Sequence, residues 1–174
     1  ESLVIDEALK AELIYDWHPK NSFVDHFSDE EFTQENFKSL TFKEVGDFAN
    51  QPFELNKKKN IFLRNGGIFL DNAYRNYATT LEKEYTFSAN SITLDTKCKS
   101  EYEEKLFFAQ EFNFHFAHPD KVTFNSKNLS NGFSQHGTDE LLIIDDFTNK
   151  TLKIKVNQKC SIFAFILNTI SQSE

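Results

Sequence analysis

The stretch Tyr77-Ala-Thr-Thr-Leu-Glu-Lys-Glu-Tyr-Thr-Phe87 decides the fold of this chain. Larger and mostly apolar side chains occupy its odd-numbered positions, and small or acidic side chains stand between them. Because successive side chains of a strand point to opposite faces of a sheet, this alternation predicts a long strand with one wetter face. After Ser88-Ala-Asn90 the alternation continues at Ile92, Leu94 and Thr96, which predicts a partner strand.

Period-two patterns extend over much of the remaining chain. They predict further strands at residues 40–45, 53–56, 60–64, 68–70, 106–117, 141–144, 152–156 and 162–169. Asn65-Gly66-Gly67 separates two of these segments, and we expect a hairpin turn there because these residues tolerate positive φ. Many strands with short turns and no alternating helices predict a mainly β fold, an antiparallel β-sandwich. Twenty phenylalanines supply bulk between its two sheets.

The N-terminal residues follow a different pattern. Apolar side chains in residues 3–15 recur near helical spacing, which predicts a short helix that ends before Pro19. We therefore predict that residues 1–20 are the helical tail of a preceding region or a linker, and that residues 21–174 form the β-sandwich domain. Because the chain begins with Glu1 and contains no methionine, we expect it to be a piece of a longer protein.

Charge and hydropathy exclude two classes of partner. The net charge is −8, and an acidic chain repels phosphate backbones, so no nucleic acid partner is expected. The longest apolar run, residues 161–167, is the length of a strand and far shorter than a spanning helix. No membrane partner is therefore expected either.

Asp25-His26 is the first candidate site. An aspartate beside a histidine could act in acid–base chemistry. Sequence neighbours seldom face the same point, however, and no nucleophile is evident nearby. The residues alone therefore favour a polar corner buried against a neighbouring domain, and no catalytic residue is predicted.

Glu111, Asn113 and His115 are the second candidate. Alternate residues of a strand share a face, so the three side chains could converge on a metal or a sugar. A hydrogen-bonded polar row on a sheet face is the favoured alternative. Zinc requires more ligands than this row offers, so no metal site and no cofactor are predicted. Trp17 is a further candidate for stacking on a sugar ring, although such rings are more often part of a core.

Five stretches resemble, in order, segments of one family: the C-terminal domain of glycoside hydrolase family 57 enzymes of the α-amylase/4-α-glucanotransferase type. The stretches are Asn21-Ser-Phe-Val-Asp-His-Phe27, Glu44-Val-Gly-Asp-Phe48, Leu81-Glu-Lys83, Phe108-Ala-Gln-Glu-Phe-Asn113 and Thr169-Ile-Ser-Gln-Ser-Glu174. Their order and spacing over residues 21–174 make the resemblance specific.

The resemblance implies a galactose-mutarotase-like β-sandwich in a parent enzyme that cleaves or transfers α-1,4-glucans by a retaining mechanism. Such a mechanism requires two carboxylates about 5 Å apart. In the family both lie in an N-terminal barrel, so no catalytic residue is carried over to this chain. Asp25-His26 would then fix the junction with the catalytic domain or, as a sharper alternative, line the edge of a glucan cleft.

These observations lead to one functional prediction and two alternatives. We predict a non-catalytic C-terminal module of a cytoplasmic α-glucan-processing enzyme. Its partners would be the catalytic domain of the parent chain and an α-glucan. The first alternative is a free-standing sugar-active enzyme of the mutarotase type, for which His115 and Glu111 are the obvious pair. The second alternative is a pure interaction domain without a ligand.

Overall fold

The computed structural model describes residues 17–19, 21–57, 59–70, 74–128, 133–136, 139–158 and 160–164. The chain divides into two compact units, Glu1–Asn113 and Phe114–Glu174. The helix predicted over residues 3–15 lies outside the described residues, so the predicted boundary after residue 20 stays a prediction. Within the described ranges, no helix has the length and apolar character needed to cross a membrane.

The first unit is built mostly of antiparallel strands. In chain order its elements are β1 (Val24–Ser28), α1 (Gln34–Lys38), β2 (Glu54–Asn56), β3 (Ile61–Leu70), β4 (Arg75–Phe87), β5 (Ile92–Ser100) and β6 (Phe107–Glu111). Strands β2 to β5 form a four-stranded sheet in sequence order, and β1 pairs with β6 in a second ladder. The short helix α1 begins with a capping box, in which the side chains of Thr33 and Asn36 each accept from the other residue's backbone N–H.

The stretch that predicted the fold forms β4. Thr79, Leu81 and Lys83 are buried on one face of this strand, whereas Thr80 and Glu82 between them are only partly buried. The predicted alternation is therefore confirmed. Leu81 is part of the core of the first unit. The buried members of that core are Phe27, Val45, Phe48, Ile68 and Leu81.

The hairpin predicted at Asn65-Gly66-Gly67 is wrong, because these residues lie inside the continuous strand β3. The Asp47 carboxylate lies over this part of the strand, where it accepts from the Gly67 N–H at 2.9 Å and pairs with Arg64. A Cβ at Gly66 would stand 2.2 Å from Asp47 Oδ1. The glycine permits the close approach of a side chain to a strand, and no turn requires it.

The second unit is also antiparallel. Its strands are β7 (Val122–Phe124), β8 (Lys127–Asn128), β9 (Phe133–His136), β10 (Glu140–Asp145), β11 (Lys150–Lys155) and β12 (Ser161–Ala164). They form one sheet of order β11-β10-β7-β8 and one ladder of β12 with β9. Its buried core contains Val122, Phe124, Leu141 and Ile143. The antiparallel ladders of both units confirm the predicted mainly β class.

Candidate functional site

The side chains of Asp25 and His26, which are neighbours on strand β1, lie on opposite sides of the β1–β6 ladder. All five residues of β1 are buried, and Asp25 and His26 are only 1% and 0% exposed. In the register of the ladder Asp25 lies opposite Gln110 and His26 lies opposite Ala109. The two neighbours therefore do not meet each other, as expected from the sequence. Each belongs to a separate polar cluster.

Asp25 is the centre of a buried ion pair. Its Oδ2 accepts from Lys83 Nζ, and its Oδ1 accepts from Gln110 Nε2 at 2.9 Å. Lys83 Nζ also donates to the Phe23 carbonyl at 2.5 Å. Phe23 has a φ of 62°, a left-handed conformation that a bulky residue rarely adopts. Lys83 on β4 thus holds both the Asp25 charge and the strained residue that precedes β1.

His26 lies between two carboxylates on the other side of β1. Its Nδ1 lies 2.7 Å from Glu44 Oε2, and its Nε2 lies 3.2 Å from Glu111 Oε2. The second oxygen of Glu44 accepts from the backbone N–H groups of Phe27 and Gly46, each at 2.9 Å. Two of these three hydrogen bonds, those to His26 and Phe27, join the segment before β2 to β1.

The two carboxylates determine the charge of His26. Burial lowers the pKa of this imidazole, but the hydrogen bonds that its ring donates to Glu111 and Glu44 outweigh the effect of burial and raise the pKa to about 9. Burial raises the pKa of the Glu111 carboxyl, yet its hydrogen bonds with His26 and Asn113 leave that pKa below the usual value. Without a further ligand, the cluster is an imidazolium held between two carboxylates.

Glu111 is the last residue of β6, and Asn113 connects it to the segment before β1. Asn113 Nδ2 donates to Glu111 Oε1 at 2.5 Å and to the Asn21 carbonyl at 2.8 Å. Ser22 Oγ donates to the Asn113 carbonyl at 3.0 Å. These bonds fix the start of β1 against the end of β6, so the polar groups bind one another.

His18 belongs to the same cluster, although the sequence did not single it out. It is buried, and its Nδ1 donates to the Pro19 carbonyl at 3.1 Å. Its Nε2 lies 3.5 Å from Glu111 Oε2 and has no hydrogen-bond partner among the described residues. One donor atom each from His18, His26 and Glu111 lie within 4.8 Å of one another, a group that could hold a metal ion.

The structure brings most of the sequence-predicted site residues into this region. Trp17 is 45% exposed and packs edge-on against the His18 and His26 rings, with centroids 5.0 and 6.3 Å away. The strand predicted over residues 106–117 is shorter than expected, because it ends at Glu111. His115 is exposed and lies beyond that end, in the second unit. The row of three side chains along one strand is therefore not formed as predicted, although Glu111 and Asn113 do meet.

An open cleft of about 530 Å³ lies beside the Asp25–Lys83 pair. Its apolar lining includes Phe53, Phe62, Tyr85, Phe87 and Ile92. The rings of Tyr85 and Phe87 lie nearly parallel, at 13° and a centroid distance of 6.2 Å, and Phe87 is 62% exposed. Burial and the nearby Asp25 charge raise the pKa of Tyr85 to about 12.

The polar clusters join four of the stretches on which the family resemblance was based. Asp25 and His26 come from the first stretch, Glu44 from the second, Lys83 from the third and Glu111 from the fourth. The fifth stretch, residues 169–174, lies outside the described residues. The first unit is thus a β-rich module in which Asp25 pairs with Lys83, and His26 lies between Glu44 and Glu111.

Comparison with known proteins gives the family. The chain belongs to the family described as "Alpha-amylase/4-alpha-glucanotransferase, C-terminal", whose model matches residues 2–174. It is similar to a 4-alpha-glucanotransferase of Thermococcus litoralis, with 26% identity over 174 residues, which cover 98% of this chain and 24% of the relative. It is also similar to an alpha-amylase of Pyrococcus horikoshii, with 25% identity over 172 residues, 98% of this chain and 24% of the relative.

A solved structure agrees with this assignment at the level of the fold. The crystal structure of the Thermococcus litoralis 4-alpha-glucanotransferase matches with a TM-score of 0.75 and 24% identity, over 97% of this chain and 25% of that one. The chain thus spans about a quarter of the length of the relatives it matches. The family resemblance stated from the sequence motifs is confirmed.

Proposed function

We propose that this chain is the non-catalytic C-terminal module of a retaining enzyme that hydrolyses or transfers α-1,4-glucans, and that it supports the catalytic domain of that enzyme. The family match carries this proposal, because relatives named for these activities are about four times as long as the segment they share with this chain. A cytoplasmic location of that enzyme, implied by the resemblance, stays a prediction.

The polar cluster supports a structural role. A retaining glycosidase places its two carboxylates about 5 Å apart with the sugar between them. Glu44 and Glu111 also form a pair, but the His26 imidazole stands between them at 2.7 and 3.2 Å. Their side chains are only 13% and 11% exposed. The space that a glycosidic bond would need is thus occupied by a histidine, and both carboxylates are bound by protein donors.

Incubation of the purified chain with maltoheptaose tests the absence of catalysis. We expect chromatography to show neither shorter nor longer oligosaccharides above a protein-free blank. Products formed in proportion to the protein concentration would contradict the proposal. The mutarotase alternative is tested in parallel by polarimetry of freshly dissolved α-glucose, for which we expect the rate of the buffer alone.

Contact with glucan is a second candidate role, and the cleft favours it. The nearly parallel rings of Tyr85 and Phe87 form an apolar platform of the kind on which a sugar ring stacks. Asn21 and Gln51 line the same cleft, and their side-chain amides offer donors and acceptors for sugar hydroxyls. Glu111, in contrast, has its carboxylate occupied by His26 and Asn113 and is poorly placed for a sugar.

Calorimetric titration with maltoheptaose tests this second role. We expect weak saturable binding that Phe87→Ala reduces at least tenfold. Tyr74→Ala is the matched control, because Tyr74 is a 91% exposed aromatic residue that does not line the cleft. Equal effects of the two substitutions, or no binding at millimolar sugar, would remove the glucan contact and leave the structural role.

A further inference from the structure

Two buried histidines and a partly buried glutamate bring three donor atoms together at the spacing of a metal site. We propose that His18 Nε2, His26 Nε2 and Glu111 Oε2 bind one divalent transition-metal ion of the zinc type. The ion would tie the segment that precedes β1 to β1 and to the end of β6. This role goes beyond the module's membership of its family and concerns how the module is held together.

The distances fit the size of such an ion. Zinc binds imidazole nitrogen and carboxylate oxygen at about 2.0–2.2 Å, so neighbouring ligand atoms of a tetrahedral site are about 3.4 Å apart. Glu111 Oε2 lies 3.2 Å from His26 Nε2 and 3.5 Å from His18 Nε2. All three atoms lie within 4.8 Å of one another. A small rotation of one imidazole would therefore complete one triangular face of the tetrahedron.

The hydrogen bonds of the two histidines prepare the same nitrogen for coordination. A carbonyl or carboxylate oxygen only accepts, so His18 Nδ1 carries a proton toward the Pro19 carbonyl and His26 Nδ1 carries one toward Glu44. In a neutral imidazole the remaining Nε2 then presents a lone pair. A metal-binding histidine commonly donates its other ring N–H to a carboxylate or a carbonyl in this way, which fixes the ring orientation.

The Nε2 atom of His18 favours a metal ion over a proton as the group that the cluster binds. A proton on His26 Nε2 would bond His26 to Glu111, but it would leave the buried Nε2 of His18 without a partner among the described residues. Buried polar atoms are rarely left in that state. A divalent ion satisfies both nitrogens and Glu111 together. The two positive charges of the ion would be balanced by the two carboxylates, Glu111 as a ligand and Glu44 behind His26.

The ligand set also selects the kind of ion. Two imidazole nitrogens and one carboxylate oxygen suit zinc and its neighbours, whereas calcium and magnesium prefer oxygen ligands throughout. The side chains of His18 and His26 are fully buried, and rings of Trp17, Phe37 and Phe42 pack against His26. This enclosed setting favours a structural ion over a catalytic one.

Cobalt(II) and zinc(II) added to the EDTA-dialysed chain test the proposal. Trp17 is the single tryptophan of the chain and lies beside both histidines, so cobalt bound there should quench its fluorescence. We expect one equivalent of cobalt to bind with tetrahedral visible absorption, and zinc to displace it. His18→Gln should weaken binding roughly 100-fold, and Glu44→Gln, which removes the outer carboxylate, roughly 10- to 100-fold.

His115→Ala is the matched control, because His115 is an exposed histidine outside the cluster, and it should leave the affinity unchanged. Circular dichroism of each metal-free variant distinguishes loss of binding from loss of folding. The number of cobalt ions bound per wild-type chain tests the proposal without any substitution. Absence of binding at micromolar metal would overturn the proposal. So would binding that survives in folded His18→Gln, or that His115→Ala weakens equally.

Discussion

Lys83→Met should remove a large part of the stability of the chain, because it leaves a carboxylate buried without its cation. Asp25 is 1% exposed and Lys83 5%. Breaking such a pair by removal of one partner costs about 3–5 kcal/mol of folding free energy. Gln110 remains as a donor to Asp25, but the Phe23 carbonyl also loses the ammonium group that holds it. Against the roughly 5–15 kcal/mol by which domains are stable, this is a severe change.

The second substitution shows whether charge is the cause. Asp25→Asn in the Lys83→Met background removes the uncompensated charge and keeps an oxygen that can accept from Gln110. The double variant should therefore be more stable than Lys83→Met alone, with a coupling free energy of about 2 kcal/mol between the two positions. Replacement of both members of a buried pair is often nearly neutral, which makes this recovery the distinctive result.

Urea denaturation followed by circular dichroism measures all four corners of the cycle. Lys97→Met serves as the control, because Lys97 pairs with Glu82 on the same sheet but is well exposed. The urea midpoint of this variant should equal that of the wild type. A loss below about 1 kcal/mol for Lys83→Met, or a double variant no more stable than that single variant, would refute the argument from burial.

Three further substitutions test other contacts by the same denaturation measurement. Gly66→Ala should cost about 1–3 kcal/mol, because a Cβ there would displace the Asp47 carboxylate from Arg64 and Gly67. Glu44→Gln should cost about 2 kcal/mol, because the amide oxygen can still accept from Phe27 and Gly46, but the negative charge is lost and the amide NH2 then faces the His26 N–H. Asn113→Ala should cost about 1 kcal/mol, because it removes the donor shared by Glu111 and the Asn21 carbonyl.

Glu54→Gln is the control for these variants, since Glu54 is exposed on β2. A midpoint for Glu44→Gln that matches this control would contradict the role given to Glu44. Wild-type stability of Gly66→Ala would show that Asp47 can move aside without loss.

The sheet structure was predictable because alternation is a local property. The side chains of β4 fall on the two faces as the odd and even positions of 77–87 required. The class of fold therefore followed from short windows of sequence, without knowledge of which strands pair.

The hairpin prediction at Gly66 was wrong because the cause of this glycine is not local in sequence. Asn-Gly-Gly is typical of a turn when only its neighbours in sequence are considered. The reason for the glycine is the carboxylate of Asp47, which is distant in sequence and close in space. The strand predicted through residue 117 failed similarly, since Glu111 and Asn113 bond back to His26 and to the segment before β1.

The site could be predicted only in part. The motif resemblance pointed to the stretches that hold Asp25, Glu44, Lys83 and Glu111, but residue chemistry alone gave no reason to join them. His18 carried no motif of its own. A histidine directly after an aromatic residue and before a proline gives no signal of a partner that lies 93 positions further along the chain.

The central claim is that the buried network stabilises a supporting module and takes no part in glucan chemistry. Its most direct test is to place Lys83→Met in the longer enzyme that we propose carries this chain, and to measure the thermal midpoint and the glucan-transfer or hydrolysis kinetics separately. The account predicts a lower midpoint, with kcat and KM unchanged at temperatures where the variant is folded. A lower kcat at an unchanged midpoint would contradict it and would place the network in the reaction.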